Sequence, residues 1–324
     1  MSTEQINIQR LAAVVPADAA GQRLDQVLAA LFPDFSRTRL QQWLRAGHVS
    51  VDGRSLRARD KVWGGEHLTV TAMLEVEVPW RGEAMPLEIL YEDSALIVLN
   101  KPPGLVVHPG AGNREGTLVN ALLHHAPELA NVPRAGVVHR LDKDTSGLLV
   151  VARTLAAHTH LVAQLQARTV KREYFAIVAG VMTAGGTIEA PVGRHPSERT
   201  RMAVVVGGRE AVTHYRVLER FRGHTYVRVN LETGRTHQIR VHMAHLHYPL
   251  VGDPTYGGRL RLPADSSSTL REALRHFKRQ ALHAGVLGLI HPESGAALQW
   301  DAPLPADMQQ LLEALRSDAE SEAL

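Results

Sequence analysis

The run Gly136-Val-Val-His-Arg-Leu-Asp-Lys-Asp-Thr-Ser-Gly-Leu-Leu-Val-Val-Ala-Arg153 constrains the fold more than any other part of the chain. Apolar residues flank a short polar stretch, which predicts two pieces of β-strand, Val137–His139 and Leu148–Ala152, joined by a charged turn. A turn of this kind, carrying Asp142 and Asp144 at the end of a rigid sheet, is where catalytic groups are often borne. Asp is also an ordinary turn residue, and on this run alone the plainer explanation is the stronger.

The surrounding chain, from about residue 87 to 316, repeats the strand pattern. Further strands are predicted at Leu87–Tyr91, Ala95–Leu99, Glu173–Ala179, Thr187–Pro191, Val212–Leu218 and Tyr226–Leu231. Helical spacing is rarer and falls at Thr117–His125, Ala156–Ala167 and Thr236–His247. Many short strands with few helices predict an α+β fold with a mixed, mostly antiparallel sheet. Met308, Leu311, Leu312 and Leu315 make one apolar stripe, so a last helix is expected before an acidic, frayed tail at 317–324.

Residues 21–74 read as a separate small α/β module, preceded by an extension at 1–20 and followed by a linker at 75–86. Leu24, Val27, Leu28 and Leu31 share one helical face, and a second helix is expected over Arg37–Ala46, with Ser36 as its N-cap and Gly47 as its C-terminal glycine. Two short alternating stretches, His48–Val51 and His67–Thr71, with Asp52-Gly53 as a turn, complete the module.

Charge is segregated. Of 36 Lys and Arg in 324 residues, seven lie between Ser36 and Lys61 against two acids, and 14 lie between Arg153 and Arg240 against six acids. The stretch Asp301–Leu324 has one Arg and six acids. Clustered arginine suits a phosphate-backbone partner, although a solvated surface explains most charge runs. The absence of cysteine excludes a disulfide scaffold, a cysteine-ligated zinc or iron–sulfur site and a thiol nucleophile. No apolar run approaches the about 20 residues that span a bilayer, and residues 1–22 lack the pattern of a secretory signal. A cytosolic protein without a membrane partner is expected.

A second polar run, Glu232-Thr-Gly-Arg-Thr-His-Gln-Ile-Arg-Val-His-Met-Ala-His-Leu-His247, places Arg240 between Ile239 and Val241. A guanidinium in so apolar a stretch needs a carboxylate partner. The histidines at 237, 242, 245 and 247 invite a metal, but no Glu stands between a pair at the spacing of the helical zinc motif, and metal is the minority reading. Gly110, Gly112 and Gly116 miss the dinucleotide fingerprint by one residue, and neither a phosphate-binding loop nor a Gly-x-Ser-x-Gly elbow occurs.

The stretches NKPPGLVVHPGAGN (from Asn100), HRLDKDTSGLLVVA (from His139), KREYFAIV (from Lys171) and ETGRTHQIRVHMAH (from Glu232) resemble the RluA-type family of RNA pseudouridine synthases. The amino-terminal module resembles an S4-type RNA-binding domain, through Arg23-Leu-Asp, Ser36-Arg and Gly47-x-Val-x-Val-Asp-Gly53. The resemblance covers nearly the whole chain. It implies an isomerase that breaks the glycosidic bond of a uridine within RNA, turns the uracil and rejoins it through C5, with no cofactor and no metal.

By that resemblance Asp142 is the essential carboxylate, either as nucleophile at ribose C1′ or as the base that takes the 2′ proton to give a glycal. Both roles need it charged, which an adjacent guanidinium favours, and Arg240 matches the family arginine that pairs with it. Tyr174 matches the aromatic that packs on the target base, and its hydroxyl is a candidate for assisting proton removal from C5. Ile239 and Val241 are expected as an apolar floor, His139, Arg140 and Arg235 as groups holding the loop or the RNA strand, and Arg37, Arg39 and Arg45 as contacts of the basic module. The target nucleotide is expected to be flipped out of its stem-loop. Within the family, the Gly-Ala-Gly-Asn after Pro109, the Lys143-Asp144 pair and the run from Met182 point to 23S (large-subunit) ribosomal RNA or a pre-ribosomal particle. The loop of helix 69 is the implied target, with a monomer as the acting species. The same chemistry on another rRNA or tRNA site, a non-catalytic RNA-binding ribosome-assembly protein and a metal-dependent hydrolase or glycosidase are the rivals.

Overall fold

A computed structural model describes residues 6–32, 35, 37–75, 80–110, 112–198 and 200–321. The chain divides into two units, Met1–Pro79 and Trp80–Leu324.

The first unit contains, in chain order, β1 (Ile6–Val14), α1 (Leu24–Leu31), α2 (Arg37–Arg45), β2 (Val49–Val51) and β3 (His67–Glu75). Its antiparallel sheet runs in the order β1-β3-β2. The expected helical faces are buried: Leu24, Val27 and Leu28 of α1 meet Leu40, Trp43 and Leu44 of α2, and both pack with Val49, Val51, Leu68 and Val70. Gly47 ends α2 in the left-handed region (φ +77°), where a glycine is unstrained. Asp52 and Gly53 make a tight turn in which Val51 and Arg54 exchange backbone hydrogen bonds of 2.9 Å. That turn closes on itself and does not join two neighbouring strands, because the partner of β2 is β3, 16 residues further on. The segment read as an extension at 1–20 supplies β1, which pairs with β3 from Ile6↔Glu75 to Val14↔His67. Ser36, the expected N-cap, and the side chains of Arg37 and Arg39 lie outside the described residues, while Arg45 is exposed.

The second unit runs β4 (Ile89–Glu92), β5 (Leu96–Lys101), α3 (Leu118–His125), β6 (Ser146–Ala152), α4 (Leu155–Gln166), β7 (Lys171–Ala179), β8 (Gly186–Glu189), β9 (Val192–Arg194), β10 (Met202–Val204), β11 (Val212–Arg220), β12 (His224–Leu231), α5 (Gln238–His245), α6 (Ser268–His276), β13 (Leu282–Ile290), β14 (Ala297–Asp301) and α7 (Ala306–Glu320). Its main sheet has the order β4-β5-β6-β13-β7-β12-β11-β8, with β14 also paired to β13. Among the described residues all its pairings are antiparallel except β6 with β13, the mixed, mostly antiparallel sheet that the strand pattern predicts.

Period-two alternation explains why the central strands are apolar throughout. Ile97, Leu99, Leu149 and Val151 face one core, which holds α3 and Ile239 of α5. Leu96, Val98, Leu148 and Val150 face another, which holds Ala157 and Leu161 of α4. A strand covered on both faces loses the polar half of its pattern. The stripe Met308, Leu311, Leu312 and Leu315 of α7 packs with Leu270 and Leu274 of α6 in a third cluster.

Three expectations are corrected. Val137–His139 is not a strand: the chain reaches Val137 through a turn with Arg134 and Ala135 left-handed (φ 55° and 51°), and Val137 makes only an isolated bridge to Val151. Residues 317–320 continue α7, because the Asp318 carboxylate is buried and accepts from Ser267 N–H (2.6 Å) and Arg222 Nε (3.3 Å). Residues 80–86 are not a free linker, since Asn120 Nδ2 donates to Arg81 O (2.8 Å) and Gly116 N–H donates to both oxygens of Glu83 (3.1 Å each).

Candidate active site

The polar run after Val138 turns into β6 in a loop braced from beneath. Thr145 N–H donates to Asp142 O at 3.1 Å and closes the turn. Lys101, at the end of β5 and with no exposed surface, donates Nζ to Pro102 O (2.8 Å), Leu105 O (3.0 Å) and Lys143 O (2.9 Å). Arg279 donates Nη1 to Asp144 O at 3.1 Å while Asp307 grips its Nε and Nη2. Gln280 Nε2 donates to Thr145 Oγ1 at 3.1 Å. Each of these side chains satisfies a polar group of the loop, so the loop is a built platform.

Asp142 stands on that platform in the wall of a cavity of about 860 Å³. Arg240, buried on α5, donates Nη1 to Asp142 Oδ2 at 3.1 Å. The partner that Arg240 needs is therefore present, and a second is present as well. Asp253 takes Nε at 2.7 Å and Nη2 at 2.9 Å, and also accepts the N–H groups of Thr255 (2.8 Å) and Tyr256 (3.0 Å). Burial opposes the charge on both members. The mutual hydrogen bonds outweigh it, holding Asp253 below the usual carboxylate range and Arg240 above the usual arginine.

His237 Nε2 lies 3.8 Å from Asp142 Oδ1, and its Nδ1 is 2.8 Å from Tyr256 Oη. Since Tyr256 Oη already accepts Met202 N–H (2.9 Å), its own proton is the one available for Nδ1. That leaves the Nε2–H of a neutral imidazole toward Asp142, and burial pushes the His237 pKa down despite the pull of Asp142. Tyr174, on β7, is only 6% exposed and lines the same cavity, and burial pushes its hydroxyl pKa up, so the phenol stays protonated.

The cavity gathers most of the residues singled out from sequence. His139, Arg140, Asp142, Tyr174, Arg235, Ile239 and Arg240 all line it. Val241 does not: about 200° separates residues two apart on a helix, and Val241 packs with Val192 and Ala211 instead. Arg235 donates Nε to Glu210 O at 2.9 Å. Arg37, Arg39 and Arg45 belong to the other unit. His242 is fully used in the core, between Thr213 Oγ1 (2.8 Å) and Ala190 O (2.9 Å), and no group of three metal-ligating side chains occurs among the described residues. Asp253, Tyr256 and Lys101 were not singled out, and His237 was weighed only as one of four histidines that invite a metal. Asp253 follows Gly252 in a loop, where an Asp carries no periodic signal.

Residues 95–245 match the model for RNA pseudouridylate synthase and residues 22–68 match the S4 domain. The chain belongs to the RluA-type family of RNA pseudouridine synthases, which are isomerases, with an S4 domain ahead of the synthase domain. It is 60% identical over 97% of its length to ribosomal large subunit pseudouridine synthase D of Pseudomonas aeruginosa, covering 98% of that protein. It is 54% identical over 96% of its length to the protein of that name from Escherichia coli K12, again covering 96% of it. Among solved structures, human RNA pseudouridylate synthase domain containing 4 superimposes with a TM-score of 0.55 at 28% identity, over 71% of this chain and 93% of that one.

Proposed function

We propose that this chain converts uridines of large-subunit ribosomal RNA to pseudouridine, with the loop of helix 69 as target and Asp142 as the catalytic carboxylate. The single observation that carries the reading is the Asp142–Arg240 pair, set at 3.1 Å in the wall of a cavity that Tyr174 also lines. The names of the relatives supply the substrate class. In one course Asp142 adds to C1′ as the N1–C1′ bond breaks. In the other it takes the 2′ proton and leaves a glycal. The freed uracil turns against Tyr174 and Ile239, and C5 bonds to C1′ as the Asp142–C1′ ester bond breaks or, from the glycal, as Asp142 returns the proton to C2′; the C5 proton then leaves and N1 gains one. Nothing is oxidised and no group is lost, so the balance calls for no cofactor.

The second unit, which begins at Trp80 and includes α7 to Glu320, is the catalytic domain in this reading. The module at 21–74 supplies sequence-independent affinity through Arg37, Arg39 and Arg45, and the chain acts as a monomer. Because the C5 hydrogen passes to solvent, tritium release from RNA labelled at C5 reads the reaction. Asp142→Asn is expected to abolish release from a helix 69 hairpin transcript while RNA binding and thermal unfolding stay close to wild type. Near-normal release by that variant would overturn the assignment.

A further inference from the structure

Arg172 stands on β7 two residues before Tyr174, so both side chains leave the same face of the sheet. It is 9% exposed, lines the cavity, and has no carboxylate partner among the described residues. The acids near it in sequence and space are committed elsewhere: Glu173 to Arg228 (3.3 Å), Glu232 to Arg168 (3.0 Å) and His214 (2.7 Å), and Asp142 to Arg240. Among the described residues its Nη2 reaches only two carbonyl oxygens, Leu231 at 3.5 Å and Glu232 at 3.2 Å, and its buried Nε has no partner. Gly234 leaves room for the guanidinium, since a Cβ there would lie 2.8 Å from Nη1.

His139 faces the same cavity. Val150 N–H donates to its Nε2 at 3.1 Å, which places the ring proton on Nδ1. Burial and the neighbouring Arg172 push its pKa down to about 3, so it is a neutral donor, not a second cation. A buried guanidinium without an anion is costly, and the cavity's substrate is a polyanion.

We propose that Arg172 and the Nδ1–H of His139 form a phosphate subsite that holds one of the two phosphates flanking the extruded uridine. The subsite rests on the isomerase reading and adds to it a fixed point outside the base. With the backbone clamped beside Tyr174, the ribose is held while the uracil turns. A phosphate accepts the unused guanidinium hydrogens in its plane and the imidazole hydrogen at its edge, the recognition for which arginine geometry is suited.

The test uses the full-length wild-type chain and helix 69 hairpins carrying a single neutral methylphosphonate linkage, 5′ or 3′ of the target uridine. One of the two linkages is expected to lower kcat/KM and weaken Kd about 10- to 100-fold, as loss of a charged hydrogen bond does. In Arg172→Gln the same linkage should cost nothing further, and Arg172→Lys should recover part of the loss on unmodified RNA. Indifference of the wild type to both linkages overturns the subsite, whether or not the variants fold. A linkage penalty equal in Arg172→Gln and wild type, the result of a contact to the base alone, overturns it as well. Absence of pseudouridine in unmodified RNA treated with wild type would instead overturn the isomerase reading, and binding would still report on Arg172.

Discussion

Arg240 holds Asp253 with both ends of its guanidinium, Nε to Oδ2 at 2.7 Å and Nη2 to Oδ1 at 2.9 Å, and so has one edge left for Asp142. The ion pair at the cavity wall is thus oriented by a carboxylate that itself never faces the cavity. Asp253→Asn keeps the shape but removes the buried countercharge. We expect turnover to fall by about one to two orders of magnitude with KM little changed, and unfolding free energy to drop by about 3 kcal/mol. Single-turnover kinetics and urea denaturation check both numbers; a variant with normal kcat would mean that Asp142 alone suffices to orient Arg240.

Lys101 has a comparable role under the loop. Three carbonyl oxygens converge on its Nζ within 3.0 Å, one of them from Lys143, the residue after Asp142. Lys101→Met fills the space and strands all three acceptors away from water. The expected loss is about 3–5 kcal/mol of stability, from buried polar groups left unpaired. Hydrogen exchange should rise first in 102–105 and 143–146, and uniform exchange across the chain would show that the lysine does not act on that loop.

Gly147 lies in the one parallel pairing of the main sheet among the described residues, opposite Ala284 of β13. Its φ is +116°, and a Cβ there would overlap the Ala284 carbonyl oxygen and lie 2.7 Å from its carbonyl carbon. Gly147→Ala must push β6 from β13 directly behind the Asp142 loop. A destabilisation above about 3 kcal/mol is expected from strain and overpacking together, seen as a lowered Tm, with turnover lost more steeply than stability. An alanine variant with wild-type Tm would mean the two strands yield more easily than their register suggests.

How much of this was legible in sequence depended on whether a signal was local. The charged turn carrying Asp142 is visible where charges interrupt apolar residues, but only the family resemblance separates Asp142 from an ordinary turn residue; the need of Arg240 for a carboxylate follows from its neighbours Ile239 and Val241. The identity of the second carboxylate did not follow, because Asp253 reaches Arg240 only through the tertiary fold. Val241 was placed in the floor by adjacency, whereas helix phase turns it away from Ile239. The central strand β13, Leu-His-Ala-Gly-Val-Leu-Gly-Leu-Ile, is not among the expected strands: like β5 and β6 it is buried without alternation, but His283, Gly285 and Gly288 break the apolar run that marks those two. For α6 a local signal did exist: Ser267 caps it by accepting Leu270 N–H at 3.2 Å, and Leu270 and Leu274 are buried four residues apart.

The fold also carries a pH dependence set by its buried histidines. His224 opens β12, is 3% exposed, and has a buried Nδ1 without a hydrogen-bond partner. Burial pushes its pKa down from 6.5 to about 4, opposed only in part by Asp318. Between those two values the unfolded chain binds a proton that the native chain refuses, so stability is lost as pH falls through that interval and levels off below about 4. The whole shift corresponds to at most roughly 3 kcal/mol. His139, His242 and His283 are pushed down too and steepen the same limb, whereas Asp253, Asp307 and Asp318, held below 3.8, act only at lower pH. His224→Gln removes one titration, so its loss of unfolding free energy between pH 7 and 4.5 should be smaller than the wild type's by about 2 kcal/mol. Urea denaturation at the two pH values measures that difference. Equal losses in the two proteins would mean that the native chain accommodates a charged His224, which its burial beside Phe221 and Tyr226 argues against.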